Sequence, residues 1–333
     1  MQVAIALLAP YFLTLRMTIY QQQPEWRRIQ AFLPARYQLS PETEPTEEWW
    51  PHRGHHIHLD CYRNPRAPAK VILLHGVGTN GRQMSTILGH PLSQRGYEVI
   101  AIDMPTFGLT EVAPGALVTY DDWVQIGSEL VDSELARDSR PVILYGLSAG
   151  GMETYHIAAL NPHVKGVVGM TFLDTSLFAV RLETAFDPLT GMLGAAAMRF
   201  LNAIGLGRVR IPMRMVSKMR ALVNHPEAKK ACYADQTSAG NSVTIAFLNS
   251  WLSYRPRITP EAFSVCPVLL TQPAADRWTP LHLSEPFLKR LTQVPVTTVL
   301  LENGGHYPLE LPALDQLAEA VTTFVAECTG TNS

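Results

Sequence analysis

Residues 141–151 read PVILYGLSAGG, an apolar run rich in branched side chains that passes directly into a serine set among glycines. A run of this kind fits a strand buried on both faces of a parallel sheet. The residues that follow, 152–160, are compatible with a helix. Gly146 and Gly150 bracket Ser148 at the junction. Without Cβ atoms they let a strand turn sharply into a helix, which leaves the serine at the bend beside a helix N-terminus that favours negative charge. A serine between spaced glycines is a weak signal by itself. The strand before it and the helix after it make Ser148 the candidate nucleophile.

Similar buried runs lie on both sides of this segment: KVILLH at 70–75, YEVIAID at 97–103, and the stretches 164–173, 265–271 and 296–301. Helix-like segments separate most of them, which implies right-handed crossovers and a mostly parallel central sheet with helices on both faces, the α/β class. The alternation breaks once. Residues 174–264 carry no clear strand run and are rich in Met, Ala, Leu and Arg, as expected of a helical cap inserted between two strands. The expected organisation is therefore an N-terminal apolar helix and linker at 1–50, a core made of 51–173 and 265–333, and the inserted cap at 174–264. PETEPTEEWWP at 41–51 reads as the linker.

A serine hydroxyl is a poor nucleophile near neutral pH, so it needs a base, and the base needs an orienting partner. After the strand VCPVLLTQ comes PAADRWTP (273–280), and after VTTVLLE comes NGGHYP (303–308). These place Asp276 and His306 in loops at the C-terminal ends of parallel strands, on the same sheet edge as Ser148. The order serine, aspartate, histidine agrees with a serine at a strand–helix elbow. LLHGVGTN at 73–80 ends the first buried strand, where the N–H groups of Val77 and Ala149 are candidate donors to a tetrahedral oxyanion.

Taken together and in order, LLHGVGTN, VIAIDMPTFGLT, VILYGLSAGG, PAADRWTP and NGGHYP resemble the α/β-hydrolase superfamily, nearest its esterase, monoacylglycerol-lipase and serine-aminopeptidase-like members. The resemblance spans residues 70 to 310. It implies the α/β-hydrolase fold, Ser148 as nucleophile, Asp276 as acid, His306 as base, Val77 and Ala149 as the oxyanion hole, and no cofactor or metal. The loop at Asp103 resembles a structural turn of the family. PAADRWTP lacks the glycine often found before the acid, so Asp174, after the strand VVGMTFL, is an alternative acid. The implied reaction is hydrolysis of a small-molecule carboxylic ester through an acyl-enzyme. An amide or thioester substrate, or a ligand-binding member of the fold without turnover, stays open because the same framework serves each.

Composition narrows the remaining classes. With 47% hydrophobic and 17% charged residues and a net charge of −2, the chain suits a globular protein and offers no overall basic surface for nucleic acid. Cys61, Cys232, Cys266 and Cys328 are too far apart in sequence for a close-spaced zinc site and read as reduced structural thiols. VAIALLAPYFLTL at 3–15 lacks the basic start and small-residue cleavage site of a secretory signal and is short for a membrane span; a packed or surface helix is expected, with an anchor or atypical signal as the alternatives. The expected location is cytoplasmic, with membrane association left open. His56, His58 and Asp60 alternate as in the HxHxD core of metallo-hydrolases, but the remaining ligands are not evident, and an antiparallel hairpin turning at Arg53 and Gly54 is the expected setting. Glu153, His156 and His163 read as solvated helix residues, and Asp121 and Asp122 as a helix start. Arg199, Arg208, Arg210, Arg214, Lys218 and Arg220 lie in a stretch without acidic residues, together with Met192, Met198, Met213, Met215 and Met219. This suggests peripheral membrane contact through the cap or the N-terminal helix.

Overall fold

A computed structural model describes residues 18–330; the apolar segment 3–15 lies outside them. Ten strands occur among these residues: β1 (Thr46–His52), β2 (His55–Tyr62), β3 (Lys70–Leu74), β4 (Glu98–Ile102), β5 (Val142–Gly146), β6 (Val164–Gly169), β7 (Arg210–Pro212), β8 (Ser242–Thr244), β9 (Val268–Pro273) and β10 (Val296–Leu301). Eight form one sheet in the order β1-β2-β4-β3-β5-β6-β9-β10, and β7 pairs with β8 apart from it. The sheet is parallel from β4 to β10, while β2 runs antiparallel to both β1 and β4. This is the α/β-hydrolase fold.

Every residue of β3, β4, β5 and β9 is buried. Since successive side chains point to opposite faces, both faces of the sheet are covered. The helices Tyr120–Arg137 and Ala149–Leu160 pack together, the latter on β3, β5 and β6. The helix Ala313–Thr329 lies on β6, β9 and β10, and Phe324 and Cys328 occupy the space that a side chain at Gly166 would need. Thr119 and Asp122 form a reciprocal capping box at the start of Tyr120–Arg137, so this helix begins where the paired aspartates suggested.

The sequence expectation fails at 41–51. Residues 46–52 are not linker but the edge strand β1, paired with β2 from Thr46↔Cys61 to His52↔His55. An edge strand needs no continuous apolar run, and the charged and aromatic residues of TEEWWPH leave it half exposed. The turn is at Arg53 and Gly54, with φ of 49° and 79°. Two left-handed residues in a row suit the right-handed twist of a two-residue hairpin.

Behind this hairpin the HxHxD residues part company. His56 is exposed and 3.4 Å from Glu111. His58 is fully buried, with Nδ1 2.9 Å from Asp103 and Nε2 2.9 Å from Glu47. Arg82 grips both oxygens of Asp60, at 2.7 and 2.9 Å, and stacks on the rings of Tyr20 and Trp26. The donors that a cation would use are thus committed to an internal cation, and the cluster Glu47, His58, Asp60 is an ion-pair network. Tyr20 Oη donates to Asp103 at 2.9 Å, fastening the N-terminal part of the described chain to the end of β4.

Burial opposes charge on His58, but the hydrogen bond and charge of Asp103, with Glu47 and Asp60, outweigh it and raise the imidazole to about 10. A raised cationic group contributes stability that is complete below its unfolded value, about 6.5, and is lost as pH climbs through the folded one. Between the two the loss approaches about 1.4 kcal/mol per pH unit. Urea midpoints should therefore fall steadily from pH 7 to pH 9, whereas a flat or rising profile would mean that His58 is uncharged in the folded protein.

Candidate active site

The strand β5 ends at Gly146, and the helix Ala149–Leu160 starts three residues later. Between them Ser148 has φ 58° and ψ −117°, a conformation that side chains rarely adopt. The turn is possible because the surrounding backbone comes too close for side chains. A Cβ at Gly146 would lie 2.0 Å from the Gly150 carbonyl oxygen, and one at Gly150 would lie 2.7 Å from the carbonyl oxygens of Leu74 and His75. Ser148 is thereby presented at the C-terminal edge of the sheet, 6% exposed.

The loops after β9 and β10 bring Asp276 and His306 together. His306 Nδ1 is 2.9 Å from Asp276 Oδ2, with both side chains buried. Asp276 is fixed in turn: Oδ1 accepts the N–H groups of Trp278 and Thr279 at 2.7 and 2.9 Å, and Oδ2 accepts Thr279 Oγ1 at 2.7 Å. Burial alone would raise the carboxyl, but His306 and the Thr279 donors bring it down to about 2. With its Nδ1 facing a carboxylate, the imidazole leaves Nε2 buried and without a hydrogen-bond partner among the described residues, as a candidate base would need. Thr279 was not singled out in the sequence. Its position three residues after a loop aspartate is the signal, since an Asx-type turn brings that residue back to the carboxylate.

The loop after β3 forms the facing wall. Neither the Val77 nor the Ala149 N–H donates to a described residue, so both candidate oxyanion donors are free. His75 holds this loop in place: Nε2 accepts the Met104 N–H at 2.9 Å, which fixes the proton on Nδ1, 2.8 Å from the Gly76 carbonyl oxygen. Burial lowers the His75 imidazole and keeps it neutral, as the accepting nitrogen requires. The histidine loop reaches the same wall. Tyr307 N–H donates to the Leu222 carbonyl at 2.8 Å, and Leu222 and Met219 close around Gly78.

Residues 174–264 sit over this edge. Their helix Pro188–Leu201 packs against both Phe178–Thr184 and Ile245–Ser253. They enclose a cavity of about 70 Å³ walled by Ser148, Val77, Trp278, Met198, Met213 and Leu248. Asp174, the alternative acid, points elsewhere and pairs with Arg290 at 3.3 Å. His163 is exposed, as expected, but Glu153 and His156 are not solvated. Both are buried on the helix behind Ser148, whose two sides are each covered, so the helix carries no apolar stripe from which their orientation could be read.

The family profile described as "Alpha/beta hydrolase family" matches residues 71–320. A comparison with curated proteins finds no match. Among solved structures, the monoacylglycerol lipase of Paleococcus ferrophilus has 18% identity and a TM-score of 0.64, over 82% of this chain and 99% of that one. A soluble variant of the monoglyceride lipase of Saccharomyces cerevisiae, in complex with a substrate analog, has 16% identity and a TM-score of 0.69, over 89% and 98%. A thermostable carboxyl esterase of Bacillus coagulans in complex with glycerol has 14% identity and a TM-score of 0.64, over 85% and 98%. At these identities the likeness is one of fold.

The contact between His306 and Asp276 is open to a direct check. A proton on His306 Nδ1 shared with a buried carboxylate should resonate far downfield in the proton NMR spectrum. It should vanish in Asp276→Asn and persist in Asp174→Asn; the reverse pattern would assign the acid to Asp174.

Proposed function

The chain belongs to the alpha/beta hydrolase family, and from that membership we propose that it is a serine hydrolase of carboxylic esters. The observation that carries this reading is the Asp276–His306 contact at 2.9 Å, with a buried Nε2 that has no hydrogen-bond partner among the described residues, on the sheet edge that displays Ser148 at a strained elbow. Ser148 Oγ attacks the acyl carbonyl as His306 Nε2 takes its proton. The N–H groups of Val77 and Ala149 stabilise the oxyanion. The proton then passes from His306 to the leaving alcohol, leaving an acyl-enzyme. Water, deprotonated by the same nitrogen, attacks the acyl carbon and releases the acid and Ser148. Asp276 holds the imidazole and balances its charge.

The inserted segment is the cap in this reading, and its outer face is a membrane contact. The helix Pro188–Leu201 and its continuation expose Leu189, Met192, Leu193, Phe200 and Ile204, each more than half accessible. The stretch Pro188–Leu206 is long and apolar enough to cross a membrane by length and composition, but only 11% of it is buried. Around it Arg199, Arg208, Arg214 and Arg220 are exposed, which suits an anionic lipid surface. The methionine surface suggested by the sequence is only partly present. Met213 and Met219 are buried over the site, and Lys218 pairs with Glu183. About three exposed arginines at about 1 kcal/mol each correspond to roughly a hundredfold gain in binding.

Fluorophosphonate labelling tests the chemistry. Wild type should be labelled, and Ser148→Ala should lose both labelling and p-nitrophenyl ester turnover, the latter by several orders of magnitude; near-normal turnover in that variant would refute the assignment. Asp276→Asn should lower kcat by up to about ten-thousandfold. The Asp276 carboxyl is held down to about 2, so it is ionised from pH 5 to pH 9, and the loss in Asp276→Asn should persist across that whole range. Sedimentation with vesicles should show binding to anionic lipid that weakens with salt and with Arg199→Gln plus Arg214→Gln. Equal binding to neutral vesicles would leave the cap as a lid only.

A further inference from the structure

Among the described residues that wall the chamber over Ser148, Arg181 is the one that carries a charge; the others are apolar, glycine or hydroxyl-bearing. It belongs to the helix Phe178–Thr184, whose Val180 is buried with Leu173 and Leu283. Arg181 and Thr184 both line the chamber and, three residues apart, share one face of this helix. Phe178, three residues the other way, is 52% exposed, and the Arg181 guanidinium lies 5.9 Å from the centre of its ring. The face thus runs from the chamber at Thr184 to solvent at Phe178, and Arg181 stands between them, at the mouth. The helix has a fixed place relative to the histidine. Trp278 Nε1 donates to the Thr184 carbonyl at 3.1 Å, and the Trp278 ring lies 4.7 Å from that of His306.

The guanidinium is held in place but not neutralised. Its Nη1 donates to the main-chain oxygens of Thr175 and Ser176 at 2.8 and 3.0 Å, on the loop that follows β6. The edge formed by Nε and Nη2 has no acceptor among the described residues. That edge is the one by which Arg82 grips Asp60 and Arg53 grips Glu129, two oxygens at a time. The carboxylates near Arg181 in sequence are taken elsewhere: Asp174 by Arg290, Glu183 by Lys218, and Asp187 by the N–H of Thr190. Main-chain carbonyls orient the group in advance without cancelling its charge. Because the chain as a whole carries −2, this positive charge is a local feature and not part of a general basic surface. A neutral acceptor would fill the open hydrogen bonds and leave the charge unanswered, whereas an anion does both.

We propose that Arg181 selects esters that carry an anionic group, a carboxylate or a phosphate, on a short spacer, with the anion held by the Nε–Nη2 edge at the mouth while the ester lies against Ser148. The proposal rests on the ester-hydrolase reading and adds a substrate class to it. Three residues, about 4.5 Å of helix, separate Thr184 in the chamber from Arg181 at its mouth, a step that a three-carbon spacer covers. The anion can sit on the acyl side, on the alcohol side or in a lipid headgroup, so the test has three arms.

In the first arm kcat and KM are measured for monoethyl glutarate and its neutral counterpart, ethyl 5-amino-5-oxopentanoate; in the second, for 4-acetoxybutanoate and 4-acetoxybutanamide. The third compares 1-dodecanoylglycerol 3-phosphate with 1-dodecanoylglycerol in neutral detergent micelles. At least one arm should favour the anionic member about tenfold, mainly through KM. Arg181→Gln should bring that ratio close to one, and Arg181→Lys, which keeps the charge and loses the fork, should retain part of it. A loss in both members that leaves the ratio standing would make Arg181 only a tie for the loop at Thr175, which overturns the proposal, as does a wild type without preference for the anion in any arm. Fluorophosphonate labelling of the same preparations separates the two readings, since failure there strikes the hydrolase assignment. Calorimetric titration of the three anionic members into Ser148→Ala reads the contact without turnover. Binding of at least one that Arg181→Gln weakens about tenfold supports it, and binding of none, or equal binding of the neutral counterparts, overturns it.

Discussion

At the C-terminal edge of the sheet, the ends of β3, β5 and β6 crowd against the first turn of one helix so closely that no Cβ fits between them. The Gly146 Cβ would fall on the Gly150 carbonyl, the Gly150 Cβ on Leu74 and His75, and a Cβ at Gly151 would lie 2.1 Å from the Thr171 carbonyl oxygen. This close approach forces Ser148 into its left-handed conformation, at a cost of order 1–3 kcal/mol that the surrounding packing must over-determine. In return it sets three positions at once. Ser148, the loop carrying Val77 and the strand that leads into residues 174–264 all take their positions from the same helix turn.

The loop carrying Val77 is then fixed from its other side by a different interaction. His75 accepts from Met104, and Asp103 accepts the Gly81 N–H at 2.6 Å, so both ends of the loop are tied to the end of β4. Asp103 itself is shared by His58 and Tyr20 and accepts the Leu109 N–H. A buried ion network of this kind is weak evidence for net stability, because desolvation offsets most of the attraction. Its consequence here is positional. It makes the β1–β2 hairpin and the Tyr20 segment parts of one rigid support beneath the loop that faces Ser148.

The elements that were legible in the sequence share one physical property, which is that local chemistry determines them. A strand buried on both faces must be apolar throughout, and a strand–helix elbow must have its glycines. Asp276 and His306 follow strands of that kind, so their place on the sheet edge could be read from order alone. What was hidden depends on packing between distant segments. TEEWWPH becomes a strand only because β2 offers it an edge, and the HxHxD residues become an ion network only because Arg82 reaches Asp60. Glu153 and His156 are polar letters on a helix that is buried all round, and no periodicity marks the side on which such a residue lies.

The contrast between the two halves of the site bears on how it operates. The side formed by β3, β5 and their loops is held by backbone contacts and buried hydrogen bonds, which leave little room for adjustment. The side formed by residues 174–264 is tied to the core by hydrogen bonds from Trp278 to Thr184, Gly108 to Thr237 and Tyr307 to Leu222, but its outer helix Pro188–Leu201 contributes almost nothing to the core. Apolar packing is non-directional, so that helix shifts at lower cost than the hydrogen-bonded parts around it. The cavity over Ser148, at about 70 Å³, is below the range of about 300–1,000 Å³ usual for ligand pockets. Added room over Ser148 is therefore gained most cheaply at that outer helix, while the glycine turn and the ion network hold the opposite side in place.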